Sequence, residues 1–176
     1  RMGRSTLVLY GLARNVATNL ARVRRRLTTM CGAFRDYRIV LFENDSDDGT
    51  REALRRWAVD NLRVELIPCE HVPDCRFRHQ SMYDIGVTGA TRLDRMALFR
   101  NVCLFYVRRK YGHFDYMAAF DMDIHGAISM DGVASTFAHT DWDATCAYGV
   151  QRHLGVGYTM YDNLPFLELD QTPEDA

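Results

Sequence analysis

The order of the apolar runs in the first seventy residues constrains this chain most, because they switch between strand-like and helix-like periodicity. Ser5-Thr6-Leu7-Val8-Leu9-Tyr10 reads as a buried strand broken by Gly11. A helical pattern follows from about Asn15 to Ala33, with Val16, Leu20, Val23, Leu27 and Met30 at spacings of three and four. Arg38 to Phe42 is a second strand, and Asp47 or Asp48 is placed to cap a second helix carrying Ala53, Leu54, Trp57 and Ala58. Leu62 to Ile67 makes a third strand, closed by Pro68. This alternation predicts an α/β fold: an open, mostly parallel sheet flanked by helices, in a single domain over residues 1–176. Such sheets bind ligands at the carboxyl ends of their strands.

Residues 68–91 carry two prolines, two glycines and mixed charges without periodicity and read as a long, mobile loop. A third helix is expected over about Thr91 to Lys110, apolar on nearly all sides in its later half and so crossing the core. A strand over 115–120 follows, then a short helix from Ser129 to His139 and a strand from Asp143 to Val150. The last 25 residues read as irregular.

Composition narrows the function classes. At 47% hydrophobic, 176 residues bury a core without staples, and a net charge of −1 argues against a general binder of nucleic acid or anionic membrane. The run Arg22, Arg24, Arg25, Arg26 falls on the first helix and is most simply its solvated face. Of the 22 basic residues, 21 are arginine, so a catalytic lysine has one candidate, Lys110. The five cysteines are odd in number and lack C-x-x-C pairs, which points to buried thiols in a reducing, cytoplasmic compartment. Cys69, His71, Cys75 and His79 depart from zinc-site spacings. No apolar stretch is long enough for a membrane span. The chain opens at Arg1, as a piece of a longer protein would.

Two segments carry the chemistry. Asp121-Met122-Asp123 closes the apolar run Tyr116 to Phe120, and residues two apart on a strand point the same way, so both carboxylates can face one ligand. With Met122, Ile124 and His125 as chain neighbours, no adjacent cation offsets their repulsion, and a hard divalent metal is the natural guest. The plain alternative is a solvated turn. The second strand ends in Glu43-Asn44-Asp45-Ser46-Asp47-Asp48-Gly49-Thr50, with five acids or amides in the first six positions. An Asx-rich turn and helix cap account for Asp47, Asp48 and Gly49 but less well for Glu43 and Asn44.

Residues 43–50 resemble the acidic D-D-x-S-x-D-G-T signature of GT-A glycosyltransferases, lying after strand two and ahead of the D-x-D as in that fold. Tyr10-Gly11-Leu12-Ala13-Arg14-Asn15 is similar to the first-strand loop with which these enzymes clasp a nucleotide, and Arg92-Leu93-x-Arg95-x4-Arg100-Asn101 to their basic helix. The nearest look is to the small GT-A domains of capsule-type and large-virus transferases. Glu43 and Asn44 stand where the family has two aspartates, and 53 residues follow Asp123, fewer than many members carry.

The resemblance implies a GT-A (Rossmann-like) hexosyltransferase that is metal-dependent and inverting. It would move a hexose from a UDP- or GDP-linked donor to a sugar hydroxyl of a glycan acceptor. Asp121 and Asp123 would hold Mn²⁺ or Mg²⁺, with His153 as a third ligand. Ala13, Arg14, Glu43, Asp45, Arg95 and Asp121 would bind the nucleotide sugar. Arg95 is preferred over Arg92 and Arg100 as the phosphate or base partner, a surface salt bridge being the plain reading of each. An inverting transfer needs a general base, for which Asp162 comes first and Asp143 second; a retaining one needs none.

Two other readings compete. A haloacid-dehalogenase-type phosphatase also starts from D-x-D, but near the start of its domain and with a later lysine. A GT-A-like domain that binds a nucleotide or a protein without catalysis fits the short segment after Asp123.

Overall fold

The computed structural model describes residues 1–69, 72, 75, 92–147, 150–153 and 157–160, with backbone alone at Arg92 and in the last two segments. The chain forms two compact units, Arg1–Phe137 and Ala138–Ala176. The first is built on four parallel strands, β1 (Thr6–Ala13), β2 (Asp36–Glu43), β3 (Val64–Ile67) and β4 (Tyr116–Ala119), in the order β3-β2-β1-β4. β1 is paired on both edges, with Leu9 opposite Ile39 on one side and Ala118 on the other. Helices α1 (Ala17–Cys31), α2 (Thr50–Asp60), α3 (Arg92–Tyr111) and α4 (Met130–Thr136) complete it. This is the expected α/β architecture, an open sheet flanked by helices, and its described strands are all parallel.

Each face of the sheet has its own core. On one, Leu7, Leu9, Ile39 and Leu41 pack against Leu20, Val23 and Leu27 of α1 and Leu54 and Trp57 of α2. On the other, Val8, Val40 and Phe42 meet Phe99, Cys103 and Val107 of α3. The apolar stripes of α1 and α2 make these helices, since each covers one side of a sheet too apolar to face water.

Several elements differ from expectation. α3 buries a stripe, Phe99, Cys103, Val107 and Tyr111, and leaves Phe105 68% exposed, because it lies across one face of the sheet and is not surrounded by core. No strand begins at Asp143. Instead β5 (Val150–His153) starts where that strand was expected to end and pairs antiparallel with β6 (Gly157–Met160), which lies inside the stretch expected to be irregular. α2 starts from Gly49 in a left-handed conformation (φ 87°), a capping residue without a side chain, and Asp48 Oδ1 accepts from the N–H of Thr50, the first residue of the helix, at 3.0 Å. The loop expected over 68–91 lies, apart from Pro68, Cys69, Val72 and Cys75, outside the described residues.

The cysteines are not all thiols. Val72 N–H donates to the Cys69 carbonyl and Cys75 N–H to that of Val72, two tight turns that fold the segment back. Cys69 and Cys75 then lie 5.6 Å apart at Cα and are joined as a disulfide, buried beside Ile67 and Phe42. Bridges of this kind persist in oxidising compartments. Cys31 and Cys103 are the buried thiols expected, each pushed up to about 12 by burial. None of the described helices is long and apolar enough to cross a membrane.

α3 is fixed to the sheet edge by one polar cluster. Glu65 on β3 accepts hydrogen bonds from Tyr106 Oη and Lys110 Nζ, both at 2.7 Å, and from the Tyr111 hydroxyl. Burial pushes the Glu65 carboxyl up, but donation by Lys110, Tyr111 and Tyr106 outweighs it and leaves the group below its ordinary value. The hydrogen bond to Glu65 raises Lys110. Glu65 therefore contributes fully above its unfolded value of 4.5 and loses its contribution as pH falls through the lower folded one. Lys110 contributes fully below 10.5 and loses that as pH rises through its higher folded value. Glu65→Gln is expected to cost about 1–2 kcal/mol at neutral pH. Urea titrations at pH 7 and pH 3 should show the gap from wild type closing in acid.

Candidate functional site

Alternation along the strands decides which side chains meet. On β1, Leu7, Leu9 and Ala13 face α1 and α2, whereas Val8, Tyr10 and Leu12 face α3. On β2, Ile39 and Leu41 take the first side, Val40 and Phe42 the second. The rhythm continues past the end of β4, because Phe120 and Met122 N–H donate to the Tyr10 and Leu12 carbonyls at 2.9 and 3.3 Å. Met122 is fully buried in the α1 and α2 core. Asp121 and Asp123, on either side of it, are thereby turned toward α3.

The ends of β1, β2 and β4 and the first turns of α3 enclose a cleft of about 210 Å³. Its polar lining is Arg14, Asn44, Arg95, Asp121 and Asp123; its apolar lining is Leu12, Val16, Met96 and Phe99. Apolar walls with a few converging polar groups, at the carboxyl ends of parallel strands, are the usual form of a small-molecule site. Arg95 is buried, with its guanidinium 5.4 Å over the Phe99 ring, and Phe99 packs in turn on Phe42. The Arg14 Nε is buried without a hydrogen-bond partner among the described residues, a donor that an anion in the cleft would satisfy. Asp121 pairs with Arg100 Nη2 at 3.0 Å. The premise that no cation neighbours the acidic pair thus holds along the chain but not across it. Asp123 makes no hydrogen bond or ion pair with any described residue.

The loops bearing Arg14 and Asn44 are clamped to each other. Asn15 N–H donates to Ser46 Oγ at 3.1 Å, and Asn15 Oδ1 accepts from Asp47 N–H at 3.0 Å. Val16 N–H donates to Thr50 Oγ1 at 2.8 Å, and Asp48 accepts from Ala17 N–H at 2.9 Å and from the Thr50 amide and hydroxyl. Ser46, Asp48 and Thr50 therefore satisfy open N–H groups at and before the start of α1, while Asn15 Oδ1 satisfies that of Asp47. Asn15 (φ 51°) and Asp45 (φ 57°) make the left-handed bends, which their residue types tolerate.

Of the expected site residues, the cleft gathers Arg14, Arg95, Asp121 and Asp123. Ala13 and Glu43 sit on the opposite side of their strands. Ala13 is in the core, and Glu43, 5% exposed, accepts from Ser46 N–H at 2.6 Å and Arg51 Nε at 2.7 Å. Asp45 pairs with Arg51 at 3.3 Å. Asn44 is the member of that motif which the alternation delivers. Asp143 is exposed in the second unit. His153 ends β5, its side chain undescribed, and Asp162, His71 and His79 lie outside the described residues.

Two contributors escaped the sequence reading. Asn19 Nδ2 donates to the Ile124 carbonyl at 2.9 Å and Arg26 to that of His125 at 3.0 Å, so α1 holds the segment after the D-x-D. Asn19 had a signal: it falls three residues after Val16 and four before Val23, a polar side chain on an apolar stripe. Arg100 takes the plain reading given to it, an exposed ion pair, with Asp121 as its partner.

Among the described residues no three His, Cys, Asp or Glu side chains gather as a metal cage. The donor set fits a hard cation that keeps water and takes one or two carboxylates plus ligand phosphates, as Mg²⁺ and Mn²⁺ do. Asp123, without a hydrogen bond or ion pair among the described residues, is the carboxylate that would hold such an ion, with Asp121 beside it. No protein-family model and no curated protein matches this sequence.

Gly11 lets β1 and the acidic segment approach. A Cβ there would stand 2.0 Å from the Phe120 carbonyl oxygen, a clash with backbone that rotamer change cannot relieve. Gly11→Ala is expected to cost about 1–3 kcal/mol, lowering the melting temperature by roughly 5 °C. Thermal denaturation followed by circular dichroism checks it.

Proposed function

We propose that the chain is a GT-A glycosyltransferase domain, metal-dependent and inverting, that moves a hexose from a UDP- or GDP-linked donor to a sugar hydroxyl of a glycan acceptor. One observation carries this reading: two carboxylates and two arginines from separate elements converge with Asn44 on one cleft at the strand ends. Carboxylates alone suit a cation and arginines alone an anion; their mixture suits a diphosphate that arrives with a divalent metal.

In this reading Arg14 and Arg95 bind the diphosphate. Arg95 is buried with its guanidinium over the Phe99 ring. Asn44 and the apolar wall from Leu12 to Phe99 take the nucleoside. Asp123, assisted by Asp121, would hold Mn²⁺ or Mg²⁺, which would supply positive charge against that growing on the leaving diphosphate. Burial of Phe99, Met122 and Arg95 keeps these groups in place before ligand arrives, so little ordering is left to do on binding.

A second reading, a nucleotide-binding domain without catalysis, is favoured by one observation. Among the described residues the carboxylates lining the cleft are Asp121 and Asp123, and the reading above assigns both to the cation, which leaves no base in the cleft among those residues. With Mn²⁺ and no acceptor, a catalytic domain should slowly hydrolyse a UDP- or GDP-hexose, whereas a binder should leave it intact.

The test of the site itself is Asp123→Ala in a thermal-shift assay. At about 100 times its dissociation constant, UDP or GDP with Mn²⁺ should stabilise the wild type by about 2.7 kcal/mol. The variant should lose the Mn²⁺-dependent part; an undiminished shift would remove Asp123 from the metal.

A further inference from the structure

Arg100 follows Met96 by one helical turn, on the same face of α3. Its Nη2 reaches both carboxylate oxygens of Asp121, at 3.2 and 3.0 Å. The two side chains are 47% and 51% exposed, so this pair is weak and exchanges partners easily. Asp123, two residues on and facing the same way, has no such counter-ion among the described residues. One carboxylate of the pair is thus neutralised by the protein and the other is left open. Counting Arg100, three arginines meet two carboxylates around the cleft, an excess of positive charge before any metal enters.

A divalent cation shared by Asp121 and Asp123 would compete directly with Arg100. The guanidinium would then face two added positive charges at close range and be driven off the carboxylate. The nearest anion available to it is the diphosphate that accompanies the cation, a ligand a planar guanidinium binds well.

We propose that Arg100 is an exchangeable counter-ion: it holds Asp121 while the cleft lacks a divalent cation and passes to the nucleotide's diphosphate when the cation takes the carboxylate. This rests on reading the cleft as a nucleoside-diphosphate site. Arg100 acts on the metal through Asp121 and on the leaving group directly, which makes the order of binding matter. Metal alone binds against a competitor, whereas metal with nucleotide does not.

The test is calorimetric titration of the whole chain, as wild type, Arg100→Met and Arg100→Lys, first with Mn²⁺ alone and then with UDP and with GDP at saturating Mn²⁺. Losing the competitor should tighten Mn²⁺ alone by about threefold to fivefold in Arg100→Met. The same variant should bind the nucleotides about tenfold more weakly. Arg100→Lys should fall between, because it keeps the charge and loses the fork. Weaker Mn²⁺ binding in Arg100→Met would mean that Arg100 positions Asp121 for the metal, and unchanged values throughout would reduce the pair to a surface contact; either overturns the exchange alone. A wild type that binds neither Mn²⁺ nor nucleotide removes the diphosphate-site reading and the exchange with it. Should Arg100→Met not fold, Arg100→Gln gives the same two readouts.

Discussion

All eight residues of β1 pair with β2, and four of them pair also with β4. A strand bonded on both edges and buried on both faces cannot slip by one residue, since a slip would turn Leu7 and Leu9 out of one core and Val8 and Tyr10 out of the other. Everything at the cleft follows from that lock. With β1 fixed, the ladder continuing through Phe120 and Met122 holds the acidic segment in phase, and Asp121 and Asp123 must face α3. The same phase brings Leu12, Arg14 and Asn44 to that side and sends Ala13 and Glu43 away.

The strand and helix order was legible because Leu7 to Leu9, Ile39 to Phe42 and the Val16–Val23–Leu27 stripe carry their own periodicity. The meeting of Asp121 with the tip of β2 was also legible, since parallel strands bring their carboxyl ends together. Which side chains of residues 43–48 reach the cleft was not read, although the information was present. Phase counted from buried Ile39 and Leu41 assigns Glu43 to the far face and Asn44 to the near one. The ion pairs Arg51–Glu43 and Arg100–Asp121 join separate elements, and no local pattern announces them. The same is true of the Cys69–Cys75 bridge, which depends on two consecutive turns.

The acidic motif after β2 divides into three jobs, one of them the pairing of Glu43 and Asp45 with Arg51 of α2. Ser46, Asp47, Asp48 and Thr50 spend their polar atoms on the start of α1 and its loop, while Asn44 alone lines the cleft. The hydrogen bonds between the two loops tie the segment after Arg14 to the turn after Asn44. The clamp is built from hydrogen bonds that are mostly exposed, so each is modest and their number gives the loop its shape.

Lys110 is the chain's single lysine, and Glu65 holds it in the charged form over the rings of Tyr106 and Tyr111. Acylating reagents attack the neutral amine, so this side chain is shielded by its own partner from the usual chemistry of dye coupling and cross-linking. Attachment of a fluorophore or a surface tether to this molecule is better directed at Cys146, an exposed thiol.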